Sequence, residues 1–170
     1  SHSGSSPENG RNALYELSHQ ILQTRDLSDS SKGLKLNWTQ SISGTVPNMI
    51  PSIARATADV RANQLVDFDI IEATLNEKIK NKLIPDTFVT IEIVRGRPPM
   101  NPTTKSREAA ELAVSIAKEI KWDLKALETA TGGGTDAAYA ALKNHAAVIE
   151  SFGLQGYGAH SDDAEYILIS

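Results

Sequence analysis

A cluster of prolines divides this chain into two parts. Pro98, Pro99 and Pro102 fall within five residues. Proline fixes its own φ and has no backbone N–H to donate, so no helix or central strand passes through such a segment. A proline-rich stretch is a stiff connector. We therefore expect two structural blocks, at residues 1–98 and 99–170, in a chain whose 170 residues suit one ordinary domain or two small ones.

The first block alternates between helical and strand periodicity. Apolar residues recur at helical spacing over 10–24 and 67–82. They alternate with polar residues over 33–43 and 53–62, and a further strand is predicted at 89–94. The order helix, strand, strand, helix, strand is that of a ferredoxin-like βαββαβ unit lacking its first strand. We expect this α+β arrangement, and with it a sequence that begins inside the unit.

The periodicity also predicts which side chains face the core. The strand at 33–43 places large apolar residues on one face: Leu34, Leu36, Trp38 and Ile42. The strand at 53–62 places small ones on one face: Ala54, Ala56, Ala58 and Val60. Because small side chains allow close approach, we expect a helix to pack there. Three acidic residues are interpreted as solvated charges on helix faces: Glu8, Glu16 and Glu72.

The second block has the signals of part of an α/β layer. Helices are predicted at 104–120 and 135–143, with a buried strand at 146–150 and a final strand at 166–170. A helix, glycine loop, helix, strand order is typical of α/β architecture, but the block is too small for a complete α/β domain. The chain is therefore assigned to the α/β class, with an α+β first block.

Composition and charge exclude several classes of function. The formal net charge is −4, without the basic excess of a nucleic-acid binder. No apolar run approaches the roughly 18 residues that a membrane helix needs, so we expect neither a nucleic-acid partner nor a membrane. The absence of cysteine excludes disulfides, thiolate metal sites and cysteine nucleophiles. The cellular compartment stays open between cytoplasmic and exported.

Two glycine-containing segments are candidate ligand sites. The run from Thr131 to Asp136 precedes a predicted helix, where exposed N–H groups and close backbone approach suit an anion. No lysine follows, which excludes a Walker A loop. By itself the run is more typical of a flexible turn in which Thr135 or Asp136 caps the helix. The second segment carries His160, and one histidine alone cannot form a zinc site, which takes three or four protein ligands.

Polar residues in the predicted loops are further candidates. Asn48 lies in a loop bounded by two prolines, and Arg97 lies at the junction of the two blocks. Together with Arg61 they could clamp a carboxylate, because arginine makes bidentate contacts with it. Ordinary surface salt bridges are the alternative. His2 lies in a terminal segment of turn-forming residues that by itself resembles any loop.

The ordered set of motifs resembles a known family, although each string alone is weak. The strings run through nearly the whole chain: Ser1-His2-Ser3-Gly4, Leu36-Asn37-Trp38-Thr39, Asn48-Met49-Ile50-Pro51, Ala58-Asp59-Val60-Arg61, Arg95-Gly96-Arg97-Pro98, Thr131 to Leu142, Val148-Ile149-Glu150-Ser151 and His160-Ser161. They resemble the C-terminal half of the zinc-dependent glutamate carboxypeptidases. These folate-hydrolysing enzymes belong to the larger superfamily of aminoacylases, dipeptidases and desuccinylases.

The resemblance implies a division into two domains and a metal. It implies a lid or dimerisation domain at 1–98, without its first strand, and the C-terminal part of the metal-binding catalytic domain at 99–170. His160 resembles the last histidine ligand of a two-zinc site. The family's other metal ligands and its general base lie in a first catalytic half with no counterpart here. We therefore expect a truncated chain that is inactive and binds no zinc by itself.

The resemblance also implies roles for individual residues. His2 resembles the lid histidine that stabilises the tetrahedral oxyanion, often across a dimer. Asn48 and Arg97 resemble the residues that hold the terminal carboxylate of the substrate. Further substrate contacts are implied at three positions: Gly133, Gly134 and Arg61.

The function implied for the parent protein is hydrolysis of the amide bond that releases C-terminal glutamate from N-acyl, folate-like substrates. A homodimer formed through the lid is implied as well. Two alternatives stay open: another N-acyl-amino-acid hydrolase or dipeptidase of the same superfamily, and a non-catalytic dimerisation module.

Overall fold

The structure is a computed structural model that describes residues 1–127, 133–143, 145–153 and 155–168. The chain forms two compact units. The first contains Ser1–Asn101 and the described part of 128–138, and the second contains Pro102–Leu127 and the described part of 139–170.

The first unit is built from two helices and an antiparallel pair of strands. Its longer elements are, in chain order, α1 (Ala13–Thr24), β1 (Lys35–Ser43), β2 (Ala54–Arg61) and α2 (Leu65–Lys78), and short 3-10 helices lie at Pro7–Asn9 and Ser30–Lys32. Strands β1 and β2 pair with each other, from Lys35 opposite Arg61 to Ser43 opposite Ala54. This mixture of helix and sheet agrees with an α/β dimerisation domain, and the helical and alternating periodicities located all four elements.

A bulge in β1 reverses the side-chain alternation of that strand. Trp38 lies opposite Ala58, whereas Gln40 lies opposite Thr57, so Thr39 is the extra residue. Since successive strand residues point to opposite faces, one extra residue moves every later side chain to the other face. Ile42 is accordingly 72% exposed, and its predicted place on the core face is wrong.

The apolar core of the first unit lies between the strand pair and α2. Leu34, Leu36, Ile71 and Leu75 form its buried centre. Partly buried side chains pack around them: Leu27, Trp38, Ala58, Val60, Ala62, Ile91 and Ile93. The alternation of β2 is as expected, with its small residues facing inward and its charged residues outward.

The segment predicted as a strand at 89–94 packs on this core without joining a sheet. Its burial alternates residue by residue, and Ile91 and Ile93 contact the core. No β-ladder connects it to any residue in the described part of the chain. Periodicity reports burial on one face, whereas a strand assignment also needs a hydrogen-bonded neighbour.

Helix α1 buries a polar stripe formed by Glu16, Gln20 and Thr24. Glu16 is only 4% exposed, so its interpretation as a solvated charge is wrong. Its carboxylate accepts hydrogen bonds from Gln20 Nε2 and from the N–H of Ile84, each at 2.7 Å. Burial raises the pKa of Glu16, but the hydrogen bonds to its ionised form outweigh burial and bring the pKa below its ordinary value of 4.5.

The second unit contains α3 (Thr104–Glu119), most of α4 (Ala137–Lys143), β3 (Gly156–Tyr157) and β4 (Tyr166–Ile167). The predicted strand at 146–150 is absent from this described stretch, where four of the five residues are exposed. The final strand predicted at 166–170 is present as β4, and residues 169 and 170 lie outside the described residues. No helix in the described ranges is both long and apolar enough to cross a membrane.

The Glu16 contacts generate a pH-dependent prediction. Glu16→Gln removes the charge that accepts one buried and one partly buried hydrogen bond, and it should lower the free energy of unfolding at pH 7 by about 1–3 kcal/mol. Because the folded-state pKa is depressed, the contribution of the ionised form is present above the ordinary pKa and is lost as pH falls through the folded-state value. Urea denaturation should therefore show a difference in unfolding free energy between the wild type and Glu16→Gln at pH 7, and a smaller difference at pH 3.

The exposed Glu8 provides the control for this comparison. Glu8→Gln removes the same charge without a buried contact and should leave stability nearly unchanged at both pH values. If Glu16→Gln lowered the free energy of unfolding equally at pH 7 and pH 3, the effect could not be assigned to the ionised carboxylate.

Candidate functional site

His2 and Asn48 are brought together by a short backbone bridge. The N–H of Ser3 donates to the carbonyl oxygen of Asn48, and the N–H of Ile50 donates to the carbonyl oxygen of Ser1, each at 2.9 Å. His2 lies opposite Met49 in an isolated antiparallel pairing. Two residues that are 46 positions apart in the sequence therefore lie on neighbouring backbone segments.

The imidazole of His2 is held by the turn that follows it. Its Nδ1 atom accepts hydrogen bonds from the N–H of Gly4 at 3.1 Å and of Ser5 at 3.2 Å. The residue itself is exposed. The ring thus has one nitrogen committed to its own backbone, which restricts how it can turn.

Arg97 is oriented by an acidic residue from the glycine loop. Its Nε donates to Oδ1 of Asp136 at 2.6 Å. Asp136 directly precedes α4, and Thr135 Oγ1 accepts from the N–H of Ala137, the first residue of that helix. The loop therefore supplies Thr135 as a helix cap, one of the two roles expected from the sequence. It also supplies the carboxylate of Asp136, which holds Arg97.

Arg61 is held in the same way by a neighbour on its own strand. Its Nε lies 2.9 Å from Oδ2 and 3.2 Å from Oδ1 of Asp59. Residues two apart on a strand share a face, so this pair stands on the exposed face of β2. The side chains of Arg61 and Arg97 are each about half exposed, at 51% and 53%.

Gly134 lies against both arginines. A Cβ atom at this position would be 3.3 Å from Cδ of Arg97 and 3.7 Å from Nη1 of Arg61. A larger side chain would press on Arg97, so the absence of a side chain lets the loop approach the arginine pair. Gly133 is exposed beside it, and Thr131 and Gly132 of the same run lie outside the described residues.

His160 belongs to the second unit and lies in a tight turn. Its φ of 68° is left-handed, and the N–H of Ser161 donates to the carbonyl oxygen of Gly158 at 3.0 Å. Within the residues described, no three His, Cys, Asp or Glu side chains form a group that could hold a metal ion. The described residues thus offer His160 as a single imidazole and do not fit a zinc ion by themselves.

Comparison with known proteins identifies the family. The sequence profile of the peptidase dimerisation domain matches residues 1–87. Carboxypeptidase G2 of Pseudomonas sp. (strain RS-16) is 45% identical over 170 residues, which is 100% of this chain and 40% of that protein. The chain belongs to the M20 peptidase dimerisation-domain family. The resemblance to the carboxypeptidases is confirmed, and the chain spans about two fifths of the length of the curated relative it matches.

The two matches cover different parts of the site in this M20 chain. The dimerisation-domain profile includes His2, Asn48 and Arg61. Arg97, the glycine loop and His160 lie beyond residue 87 and are covered by the similarity to carboxypeptidase G2.

Sequence reasoning missed the two acidic residues that orient the arginines. Asp59 stands two positions before Arg61 in an alternating segment, so strand periodicity was a usable signal for that pair. The sequence pattern around Asp136 indicates a helix cap and no contact with an arginine. Its contact with Arg97 joins residues 39 apart, and no local pattern predicts it.

Proposed function

We propose that the parent protein of this chain is a zinc-dependent carboxypeptidase that hydrolyses the amide bond releasing C-terminal glutamate from N-acyl, folate-like substrates. The observation that carries the proposal is the pair of arginines beside Gly134, together with 45% identity to a carboxypeptidase. A carboxypeptidase must hold a terminal carboxylate, and guanidinium groups bind carboxylates through parallel N–H donors.

A glutamate leaving group suits two arginines because it carries two carboxylates. Arg97, with Asn48, is assigned to the terminal carboxylate, in keeping with the family resemblance. Arg61 is assigned to the side-chain carboxylate. Each guanidinium is held through Nε by an aspartate, so its plane is set before the ligand arrives, and less side-chain entropy is lost on binding.

The proposed chemistry divides between this chain and the rest of the parent protein. His2 donates a hydrogen bond to the oxygen of the scissile carbonyl as negative charge develops there. His160 contributes one metal ligand, and the remaining ligands come from elsewhere in the parent protein. When bound, zinc would polarise the carbonyl and activate a water molecule.

Arg97→Ala in the full-length enzyme is the principal test. Loss of one partner of a carboxylate contact should reduce kcat/KM for glutamate release by about a hundredfold, or about 2.7 kcal/mol. Arg95→Ala is the matched control, because Arg95 pairs with Asp69 and Glu72 on the surface. Equal effects of the Arg97→Ala and Arg95→Ala substitutions would contradict the role of Arg97.

The 170-residue chain with zinc and a pteroyl-glutamate substrate should release no glutamate.

Arg61→Gln tests the assignment of the second carboxylate. The preference for C-terminal glutamate over glutamine in matched N-acyl substrates should fall by about tenfold or more, because the charged partner of the side-chain carboxylate is lost. Arg55→Gln, on the same strand and also exposed, is the control. An unchanged preference would favour the alternative of a different N-acyl-amino-acid hydrolase, whose selectivity a panel of C-terminal residues would reveal.

We also propose that the first unit forms a homodimer, since the dimerisation-domain profile matches residues 1–87, all within that unit. A module that only dimerises is the second candidate for the isolated chain. Sedimentation equilibrium of the 170-residue chain should give twice the monomer mass, with dissociation on dilution. A monomer at every concentration up to the millimolar range would contradict the proposal.

A further inference from the structure

We propose that the turn after His2 fixes its imidazole as the tautomer protonated on Nε2, and that Gly10 is a positioning residue for this arrangement. The tautomer follows from local contacts. Its use in catalysis rests on the proposed function, in which His2 donates a hydrogen bond to the substrate.

The hydrogen-bond partners of Nδ1 determine where the proton lies. The N–H groups of Gly4 and Ser5 can only donate, and both are directed at Nδ1. Nδ1 must therefore present a lone pair, and a neutral imidazole then carries its single proton on Nε2. The opposite tautomer would set an N–H against two other N–H groups and lose both hydrogen bonds.

The backbone bridge sets the position of this ring. Hydrogen bonds between Ser3 and Asn48 and between Ser1 and Ile50 flank His2 on both sides. Because the same bridge carries Asn48, a displacement of the bridge moves the proposed oxyanion donor and the proposed carboxylate-binding amide together.

Gly10 lies beside the bridge, where an added Cβ atom would displace the side chains of Ser1 and Ile50. A Cβ atom there would be 2.5 Å from Oγ of Ser1 and 2.9 Å from Cδ1 of Ile50. These are the two residues that form one of the bridge hydrogen bonds. The φ of Gly10 is −97°, which any residue adopts. Backbone conformation therefore does not require glycine at this position, and what favours it is the close approach of these two side chains.

The consequence is a neutral donor of defined direction. With Nδ1 occupied by the turn, Nε2–H is the nitrogen left to face a ligand. A donor that is already oriented contributes to transition-state stabilisation without reorganisation at the moment of reaction.

Long-range ¹H–¹⁵N correlation NMR of the 170-residue chain tests the tautomer directly. At pH 8.5, His2 should show an unprotonated Nδ1 and a protonated Nε2, with no averaging. His2→Gln identifies the signals by their loss, and the exposed His145 serves as an internal reference. Averaged shifts, or a protonated Nδ1, would overturn the inference whatever substrate the parent enzyme uses.

Gly10→Ala tests the positioning role. The His2 nitrogen shifts should move towards a tautomer mixture, and amide exchange at Ser3 and Ile50 should accelerate by about tenfold as the bridge opens. Gly153→Ala is the matched control, because a Cβ there meets nothing within 4 Å. Unchanged shifts and exchange in Gly10→Ala would refute the role of Gly10. The wild-type spectrum decides the tautomer even if this variant fails to fold.

Discussion

The antiparallel register of β1 and β2 is the constraint on which much of the candidate site depends. With Ser43 opposite Ala54, the chain must turn back through 44–53, and this loop carries Asn48 to the bridge with His2. The same register ends β2 at Arg61, on its exposed face. The inward face packs on Leu36, Ile71 and Leu75, and a shift by one residue would exchange the two faces. Core packing therefore also determines where the arginine stands.

Polar contacts, as well as apolar ones, join α1 to the segment that follows α2. The carbonyl oxygen of Asn81, just beyond α2, accepts hydrogen bonds from His19 at 3.0 Å and Gln20 at 3.1 Å. One turn earlier on α1, the carboxylate of Glu16 accepts a hydrogen bond from the backbone N–H of Ile84. Buried polar groups stabilise a fold when all are paired and are costly when one partner is removed. This is why a helix with apolar periodicity nevertheless buries a polar stripe.

Periodicity predicted the elements that bury one face and failed where a tertiary partner decides the structure. Both strands of the pair and three longer helices were located, because their apolar spacing is regular. Apolar spacing does not reveal a single inserted residue such as Thr39, and this one residue places Ile42 on the opposite face of the strand. The apolar composition of 146–150 indicated burial, but those residues are mostly exposed in the structure. Segment 89–94 shows strand-like burial without a hydrogen-bonded neighbour, which no single-strand pattern can specify.

The sequence predicts the candidate residues one by one, and the fold relates them in two pairs. His2 and Asn48 became neighbours through a bridge of backbone atoms, which carries no side-chain signature. Arg61 and Arg97 meet at Gly134, each with its own aspartate. Since both cations already have an anionic partner, attraction by net charge contributes little, and exposed ion pairs are weak. In the proposed function, a dicarboxylate would be selected by the directions of the two guanidinium groups, and the aspartates that orient them would belong to the recognition geometry.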